Sequence, residues 1–248
     1  MVTRPAGNAV SPVIVVAFDG LQPAQVTPER MPSLHAFASR GVTFANHHAV
    51  FPTVTRANVV SMLTGSSPGA HGLTANMLVI REFDHERVIP ALAPELARVQ
   101  RRLGRLLLAP HLVDVLVAHG QRFVAVGTGT TGNAYLQNPR AEGSEGTTIH
   151  PEFSIPADVH GHVVETLGAW PEKTETDEER LSHAVRVLTE YGIPRWEPAV
   201  AVFWCNQPDT AQHAAVLTAA LDSGAAARMY NASLPPDEAE AAIAMLES

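Results

Sequence analysis

An uninterrupted apolar run near the start of the chain constrains the fold more than any other feature. Residues 13–18 read Val-Ile-Val-Val-Ala-Phe, and the run stops at Asp19-Gly20. Polar residues do not alternate with the apolar ones, and continuous β-branched runs of this length are typical of parallel strands buried on both faces. The run therefore predicts a central strand of a parallel sheet, with Asp19 at its carboxyl end.

Helix and strand patterns alternate along the rest of the chain. Helical spacing of apolar residues, or a polar helix pattern with an N-terminal signal, occurs at residues 32–41, 55–65, 112–120, 176–191 and 237–246. Strand-like runs occur at residues 42–45, 122–127 and 199–205. This alternation predicts an α/β fold in which a mostly parallel sheet is flanked by helices.

The chain reads as a single domain over residues 1–248, with three atypical segments. We expect a flexible start at residues 1–12 and a divergent tail at residues 214–248. Residues 127–162 are rich in Gly, Thr, Asn and Pro, a composition that favours loops. We therefore expect an irregular excursion there, with little regular secondary structure.

Composition excludes several classes of protein. Hydrophobic residues make up 46% of the chain and charged residues 17%, which is enough apolar material for a core. The single cysteine, Cys205, excludes a disulfide framework and a thiolate metal cage. The formal charge is −8 and the basic residues look scattered along the chain, so we expect no nucleic-acid polymer as a partner. Without a long apolar stretch or a secretory signal, we expect a cytoplasmic protein with no membrane partner.

Three positions carry residues suited to binding a metal or a phosphate. Asp19 follows a strand, where ligand sites of open α/β sheets form. Thr55 begins a predicted helix, where backbone N–H groups and the helix dipole favour an anion. Asp209 and His213 are four residues apart, so a helical turn would place both on one face, a spacing that can chelate zinc.

Each position also has a plain structural interpretation. Asp19-Gly20 is common turn chemistry, and Thr55 could serve only as a helix cap. Asp209 and His213 could be unrelated surface residues at the start of a helix. A threonine hydroxyl is a poor nucleophile at neutral pH unless a metal stabilises its alkoxide, so these residues suggest a site only in combination.

Further motifs extend this combination. They are Met31-Pro32-Ser33-Leu34, Gly41-Val42-Thr43-Phe44-Ala45, the segment 51–58, Leu63-Thr64-Gly65, the segment 68–73, Asn76, the segment 133–140 and the segment 204–213. With the first strand, their order and spacing resembles the nucleotide pyrophosphatase/phosphodiesterase branch of the alkaline phosphatase superfamily. The resemblance is strongest over residues 13–80 and is good over residues 199–213.

The resemblance implies an alkaline-phosphatase-like core and a metal-dependent hydrolase of phosphodiester, phosphomonoester or phosphonate bonds. Thr55 would be the nucleophile, would form a phospho-threonine intermediate, and would bind one of two divalent metals, expected to be zinc, together with Asp19. Asp209 and His213 would bind the second zinc. Asn76 would donate an amide hydrogen bond to a phosphoryl oxygen whose charge grows in the transition state.

The chain departs from the family pattern beside the nucleophile. Relatives commonly read Thr-Phe-Pro-Asn, whereas this chain reads Thr55-Arg56-Ala57-Asn58. The aromatic residue that helps hold a nucleotide base is absent, and Arg56 favours a more anionic substrate. We therefore expect a small phosphoester or nucleotide-like substrate, with Arg56 and Asn76 as substrate contacts.

A second departure concerns the metal ligands. Relatives supply a later Asp-His pair and a final His, but only 35 residues follow His213 and none of them is His. Asp84-His85 precedes the wrong strand and is interpreted as surface, while His150, His160 and His162 fit loop positions better than ligand positions. Each zinc then has two recognisable protein ligands, where a catalytic zinc normally has at least three.

These departures leave two other functions open. The chain could be a truncated or non-catalytic member that lacks the C-terminal part of the domain and retains only an anion-binding pocket. The missing strands would then leave an exposed sheet edge, through which we expect self-association. A sulfatase or a phosphonate hydrolase of the same superfamily is a further alternative, although sulfatases usually carry a modified Cys or Ser where this chain has Thr55.

Overall fold

The computed structural model describes residues 11–141, 145–174 and 177–213. The predicted tail at residues 214–248, with its helix at residues 237–246, and residues 1–10 of the predicted flexible start lie outside these ranges. No helix in the described ranges is both long and apolar enough to cross a membrane.

The central sheet confirms the predicted α/β class. The strands of the described ranges are β1 (Val13–Phe18), β2 (Met77–Leu78), β3 (Ile89–Pro90), β4 (Phe123–Gly127), β5 (Gly146–His150), β6 (Phe153–Ile155) and β7 (Val200–Cys205). Five of them form one sheet in the order β1-β7-β4-β5-β6, parallel except for β6, while β2 and β3 form a separate antiparallel pair.

Helices cover both faces of this sheet. They are α1 (Pro32–Ala38), α2 (Thr55–Thr64), α3 (Pro68–His71), α4 (Ala93–Leu103), α5 (Leu112–Ala118), α6 (Thr131–Gln137), α7 (Asp158–Leu167), α8 (Glu178–Arg186) and α9 (Ile193–Trp196). A 3₁₀ turn at Pro23–Gln25, a π-helical segment at Val187–Gly192 and helical residues 207–213 complete the regular structure of the described residues.

Alternate residues of the inner strands enter two separate cores. Phe123 and Ala125 of β4 pack with residues of α2, α4, α5 and α6. Val124 and Val126 of the same strand pack with residues of α7, α8, α9 and the π-helical segment. The strand is therefore buried on both faces, as its continuous apolar sequence requires.

The predicted central position of β1 is wrong. β1 lies at the edge of the described sheet and pairs with β7 alone, and Val13, Ile14 and Val16 are 59%, 50% and 47% exposed. An apolar sequence shows that a strand suits burial, but it carries no information on which strands pair beside it. The run at residues 42–45 is also not a strand, and Val42 and Phe44 are among the most exposed apolar residues.

The predicted irregular excursion at residues 127–162 is wrong as well. It contains α6, β5, β6 and the start of α7, and most of α6 and all of β5 are buried. Thr130 is the N-cap of α6 and accepts a hydrogen bond from the backbone N–H of Asn133. Thr147 and Thr148, which are β-branched, lie buried in β5. The Gly, Thr and Asn residues that suggested a loop therefore serve as caps and buried strand residues.

Three buried histidines share one pattern of hydrogen bonds to the backbone that follows them. His71, His111 and His150 each accept a hydrogen bond at Nδ1 from the backbone N–H two residues later. Their Nε2 atoms contact Ser61 Oγ, the Leu136 carbonyl and the Gly129 carbonyl respectively. Burial lowers the pKa of all three rings, that of His111 to about 4, so the neutral ring fits these pairings.

Candidate active site

The Thr55 hydroxyl and the Asp19 carboxylate meet at the carboxyl end of β1. Thr55 Oγ1 donates to Asp19 and lies 3.1 Å from Oδ2 and 3.4 Å from Oδ1. Thr55 is the first residue of α2, and Val54 occupies the cap position without a side-chain bond. The interpretation of Thr55 as a helix cap is therefore wrong, because its hydroxyl points to Asp19 rather than to the helix backbone.

The surroundings of Asp19 raise its pKa. Burial is the largest cause, and the nearby charge of Asp209 acts in the same direction. Hydrogen bonds from Trp204 Nε1, at 3.2 Å, and from Thr55 partly offset these effects because they favour the charged carboxylate. A cation between Asp19 and Asp209 would relieve their mutual repulsion.

Asp209 and His213 lie on one helical face, as their spacing predicts. Residues 207–213 are helical directly after β7, and His213 Nε2 lies 3.4 Å from Asp209 Oδ1. The His213 side chain is 81% exposed, so it borders solvent rather than the core.

Gly20 allows this helix to approach the end of β1. Its φ is +69°, and a Cβ at this position would lie 2.9 Å from Asp209 Cα. Gln212 Nε2 also donates to the Gly20 carbonyl at 2.5 Å. The glycine and this hydrogen bond together hold Asp209 beside Asp19.

One cavity of about 690 Å³ brings together all six residues that the sequence singles out. They are Asp19, Thr55, Arg56, Asn76, Asp209 and His213. An adjoining cavity of about 1010 Å³ shares Asp19, Thr53, Thr55 and Asp209 and extends towards His47 and His48. Thr55 therefore lies where the two cavities meet.

The guanidinium of Arg56 is fixed by the protein. Its Nε donates to the Ala91 carbonyl at 2.7 Å, and its Nη2 donates to Thr130 Oγ1 at 3.1 Å. The Ala91 N–H in turn donates to the Asn76 carbonyl, so Ala91 links Arg56 to the loop that carries Asn76. Burial lowers the pKa of Arg56. Two of the polar groups of Arg56 are thus occupied, and its contact with substrate stays a prediction.

The cavity also contains polar residues that the sequence did not single out. Lys173 is the only lysine in the chain, and it lines the 690 Å³ cavity. Asn206 and Thr128 line it too, with Thr128 Oγ1 donating to Asn206 Oδ1 at 2.6 Å. The rarity of lysine is a sequence signal for Lys173. Asn206 lies within the motif at residues 204–213 but was given no role, and Thr128 carried no signal.

The described residues do not complete a zinc site. Asp19 with Thr55, and Asp209 with His213, offer the oxygen and nitrogen donors that zinc accepts. However, the described part of the chain contains no group of three or more His, Cys, Asp or Glu that could hold a metal. In the Asp84-His85 pair, the His85 side chain is exposed, as expected, and its Nε2 lies 3.6 Å from the exposed Glu86 carboxylate.

The mostly parallel sheet flanked by helices is an α/β fold of the alkaline-phosphatase-like kind. A sequence model of the type I phosphodiesterase / nucleotide pyrophosphatase family matches residues 13–230, and the chain therefore belongs to this family. No curated protein matches its sequence.

A solved structure with the same fold is phosphonoacetate hydrolase from Sinorhizobium meliloti 1021 in complex with phosphonoacetate, with a TM-score of 0.59 and 24% sequence identity. The match covers 82% of this chain and 48% of that chain. The chain thus spans about half the length of this structure.

Proposed function

We propose that this chain hydrolyses phosphoester or phosphonate bonds in small molecules, with Thr55 as the nucleophile. The observation that carries the proposal is the 3.1 Å contact between the Thr55 hydroxyl and the Asp19 carboxylate, inside the cavity that also contains Asn76. Membership of the phosphodiesterase family supports the reaction class.

The reaction proceeds in two displacements at phosphorus. Thr55 Oγ1 forms a bond to phosphorus while the bond to the leaving group breaks, which gives a phospho-threonine. The proton of the Thr55 hydroxyl ends on the leaving group. Water then forms a bond to the same phosphorus while the bond from phosphorus to Thr55 Oγ1 breaks, and a proton from the water restores the Thr55 hydroxyl. The product is phosphate, or a phosphomonoester where the substrate is a diester. Asp19 orients the hydroxyl by accepting its hydrogen bond.

Hydrogen-bond donors and the helix dipole would stabilise the negative charge on the phosphoryl oxygens. Thr55 opens α2, so backbone N–H groups and the helix dipole favour the phosphoryl group beside the nucleophile. The Asn76 amide lines the same cavity and would donate to a phosphoryl oxygen.

Asp19 and Thr55 would contribute to one divalent metal, and Asp209 and His213 to a second, and the metal proposed in both positions is zinc. Such metals would stabilise the threonine alkoxide and the leaving oxygen. Two protein donors per metal fall short of the usual three, so further donors from outside the described residues would have to complete each site.

Lys173 indicates a substrate with a second anionic group. It places a positive charge in a cavity that also contains the Arg56 guanidinium and three carboxylates, those of Asp19, Glu152 and Asp209. Phosphonoacetate, bound in the similar structure, carries a carboxylate as well as a phosphonate. We therefore propose phosphonate or phosphoester substrates with a carboxylate or second phosphate that Lys173 binds.

The test is hydrolysis of a chromogenic phosphodiester and of phosphonoacetate by the full chain supplied with Zn²⁺. Removing the nucleophile in Thr55→Ala should lower the rate by about 10³-fold or more, while Thr55→Ser should retain part of it. Thr53→Ala, a change in the same cavity, is the matched control and should retain most of the rate. After reaction with phosphonoacetate, acid-quenched protein should carry phosphate on Thr55, and full activity in Thr55→Ala would contradict the proposal.

The shortage of donors among the described residues favours one second candidate, a family member that binds an anion without turnover. Elemental analysis and phosphate binding separate the two functions. Two zinc ions per chain with turnover support the enzyme, whereas phosphate binding without bound metal or turnover supports the second candidate.

A further inference from the structure

A separate cavity of about 470 Å³ lies between the loop at residues 83–87 and helix α4. Four of its six lining residues are arginines, and the set is Phe83, Asp84, Arg87, Arg98, Arg101 and Arg102, here called the arginine pocket. It shares no lining residue with either cavity of the candidate active site. Leu92, which lines the active-site cavity, precedes α4, so Arg101 lies about 14 Å farther along the helix axis.

Positive charge is concentrated around this pocket. Residues 81–105 contain six of the 17 basic residues and four carboxylates, a net charge of +2, which leaves −10 for the rest of a chain with a net charge of −8. The expected scatter of basic residues is therefore wrong for this segment. Spacings of three and four residues bring Arg98, Arg101 and Arg102 together on neighbouring turns of α4.

Contacts within the pocket position some of the guanidinium groups. Glu95 binds both Arg87, at 3.2 Å, and Arg98, at 2.9 Å. The Arg98 guanidinium also lies 5.8 Å from the centre of the Phe83 ring, a cation–π distance. One carboxylate is thus shared by two arginines, and the positive charge of the pair is only partly neutralised.

The other two arginines of the pocket, Arg101 and Arg102, form no ion pair within the described part of the chain. Among the described residues, no carboxylate lies within ion-pair distance of Arg101 or Arg102. Asp84, the one acidic residue in the lining, accepts hydrogen bonds from the backbone N–H groups of Glu86 and Arg87. Four arginines against Asp84 and the neighbouring Glu95 therefore leave the pocket with a net positive charge.

We propose that the arginine pocket binds a compact anion built of linked phosphate groups, such as inorganic triphosphate or the triphosphate chain of a nucleotide. Guanidinium groups bind phosphate oxygens in pairs, and several of them around one concavity match several linked phosphates. The volume of about 470 Å³ falls in the range of small-molecule sites. The lining has no Ser, Thr, Cys or His, and the proposal is for binding alone.

The experiment is calorimetric titration of the full chain with sodium triphosphate and, separately, with ATP. Binding is measured in the Thr55→Ala background, which keeps hydrolysis at the candidate active site out of the signal. The test variant is R101E/R102E, and the matched control is R30E/R40E, which makes the same change of charge at exposed arginines outside the pocket. Loss of two charge-assisted contacts should weaken triphosphate binding about tenfold or more, with little effect in the control.

The outcomes separate the pocket from general electrostatics. Equal weakening in R101E/R102E and R30E/R40E, or none in either, overturns the proposal. Tighter binding of an oligoglutamate peptide than of triphosphate also overturns it, because the ligand would then be an acidic peptide. Equal affinity for triphosphate and ATP would show that the pocket recognises the phosphates alone. Tighter binding of ATP would support the proposal and show that the nucleoside also contacts the protein. If R101E/R102E does not fold, R101Q/R102Q serves as the test variant.

Discussion

Strands β1 and β7 have similar sequences and opposite environments. Both are six residues long, both are apolar throughout, and they pair in register from Val13 with Val200 to Phe18 with Cys205. Yet β7 lies between β1 and β4 and is almost entirely buried, whereas β1 pairs on one side only within the described chain and is half exposed. The comparison teaches that an apolar sequence shows that a strand can be buried, whereas the number of neighbouring strands determines how much of the strand is buried.

The candidate site lies across this boundary. Asp19 follows the exposed strand, and Asp209 follows the buried one. Trp204 of β7 donates to Asp19, and Gly20 after β1 allows the close approach of Asp209. The buried strand β7 therefore helps to position Asp19, which follows the exposed strand β1.

The largest expected effect comes from His111, which packs edge-on against Phe123 of β4 on the buried side. Its pKa is lowered from 6.5 to about 4, chiefly by burial. Between pH 6.5 and about 4, His111 is therefore protonated in the unfolded chain and neutral in the folded chain. Stability should therefore fall as pH falls from 6.5 to about 4, by about 3 kcal/mol from this residue. Denaturant unfolding across the window measures the loss.

His111→Asn keeps a capping side chain and removes the titration, so its stability should vary less with pH than that of the wild type. His71, His150 and His183 have pKa values lowered by burial too, so some dependence should remain. The matched control is His85→Asn, at an exposed position. Identical pH profiles for His111→Asn and the wild type would contradict this assignment.

A matched pair of valine truncations tests the two strands directly. Val202 of β7 is 0% exposed, and Val13 of β1 is 59% exposed. Val202→Ala should lower the free energy of unfolding by about 2 kcal/mol, because it removes buried methyl groups and leaves a cavity. Val13→Ala should change it by less than about 0.5 kcal/mol. Equal losses, measured by urea unfolding, would mean that β1 is as buried in solution as β7.

Local patterns predicted much of the fold. The helix expected at residues 55–65 is Thr55–Thr64, and the strand expected at residues 199–205 is Val200–Cys205. These elements are recognisable because a helix or strand has its own period. The position of β1 was missed because pairing order depends on residues distant in sequence. The buried α6 and β5 were missed because Gly, Thr and Asn are as common in loops as in the caps and buried strand positions that they occupy here.

The site shows the same division. The six residues singled out by motif spacing line one cavity. Five of them follow β1 or β7 or lie in the first turn of α2, and the sixth, Asn76, precedes β2. Lys173 and the arginine pocket were missed, because each depends on segments brought together only by folding. The chemical roles of the six residues stay predictions.

Gly20 tests the junction between the two strands. Gly20 and Gly65 both have positive φ, +69° and +62°, but only Gly20 would place a Cβ against another residue, Asp209. Gly65→Ala should show the backbone cost alone, and Gly20→Ala should cost about 1 kcal/mol more because of the contact. Thermal unfolding of both variants measures the difference. Equal losses would show that the contact between Gly20 and Asp209 is not tight.

The smallest expected effect on stability concerns the edge itself. Ile14 is 50% exposed on β1, and an apolar edge strand is a template for pairing with another chain. Ile14→Lys should change the free energy of unfolding by less than about 0.5 kcal/mol, since little apolar area is lost. It should nevertheless reduce self-association in sedimentation velocity, because a lysine at an edge opposes strand pairing. Ser33→Lys, at an exposed helical position with the same change in charge, is the control. If Ile14→Lys and Ser33→Lys sediment alike, association does not use β1, and the exposed strand differs from β7 in burial alone.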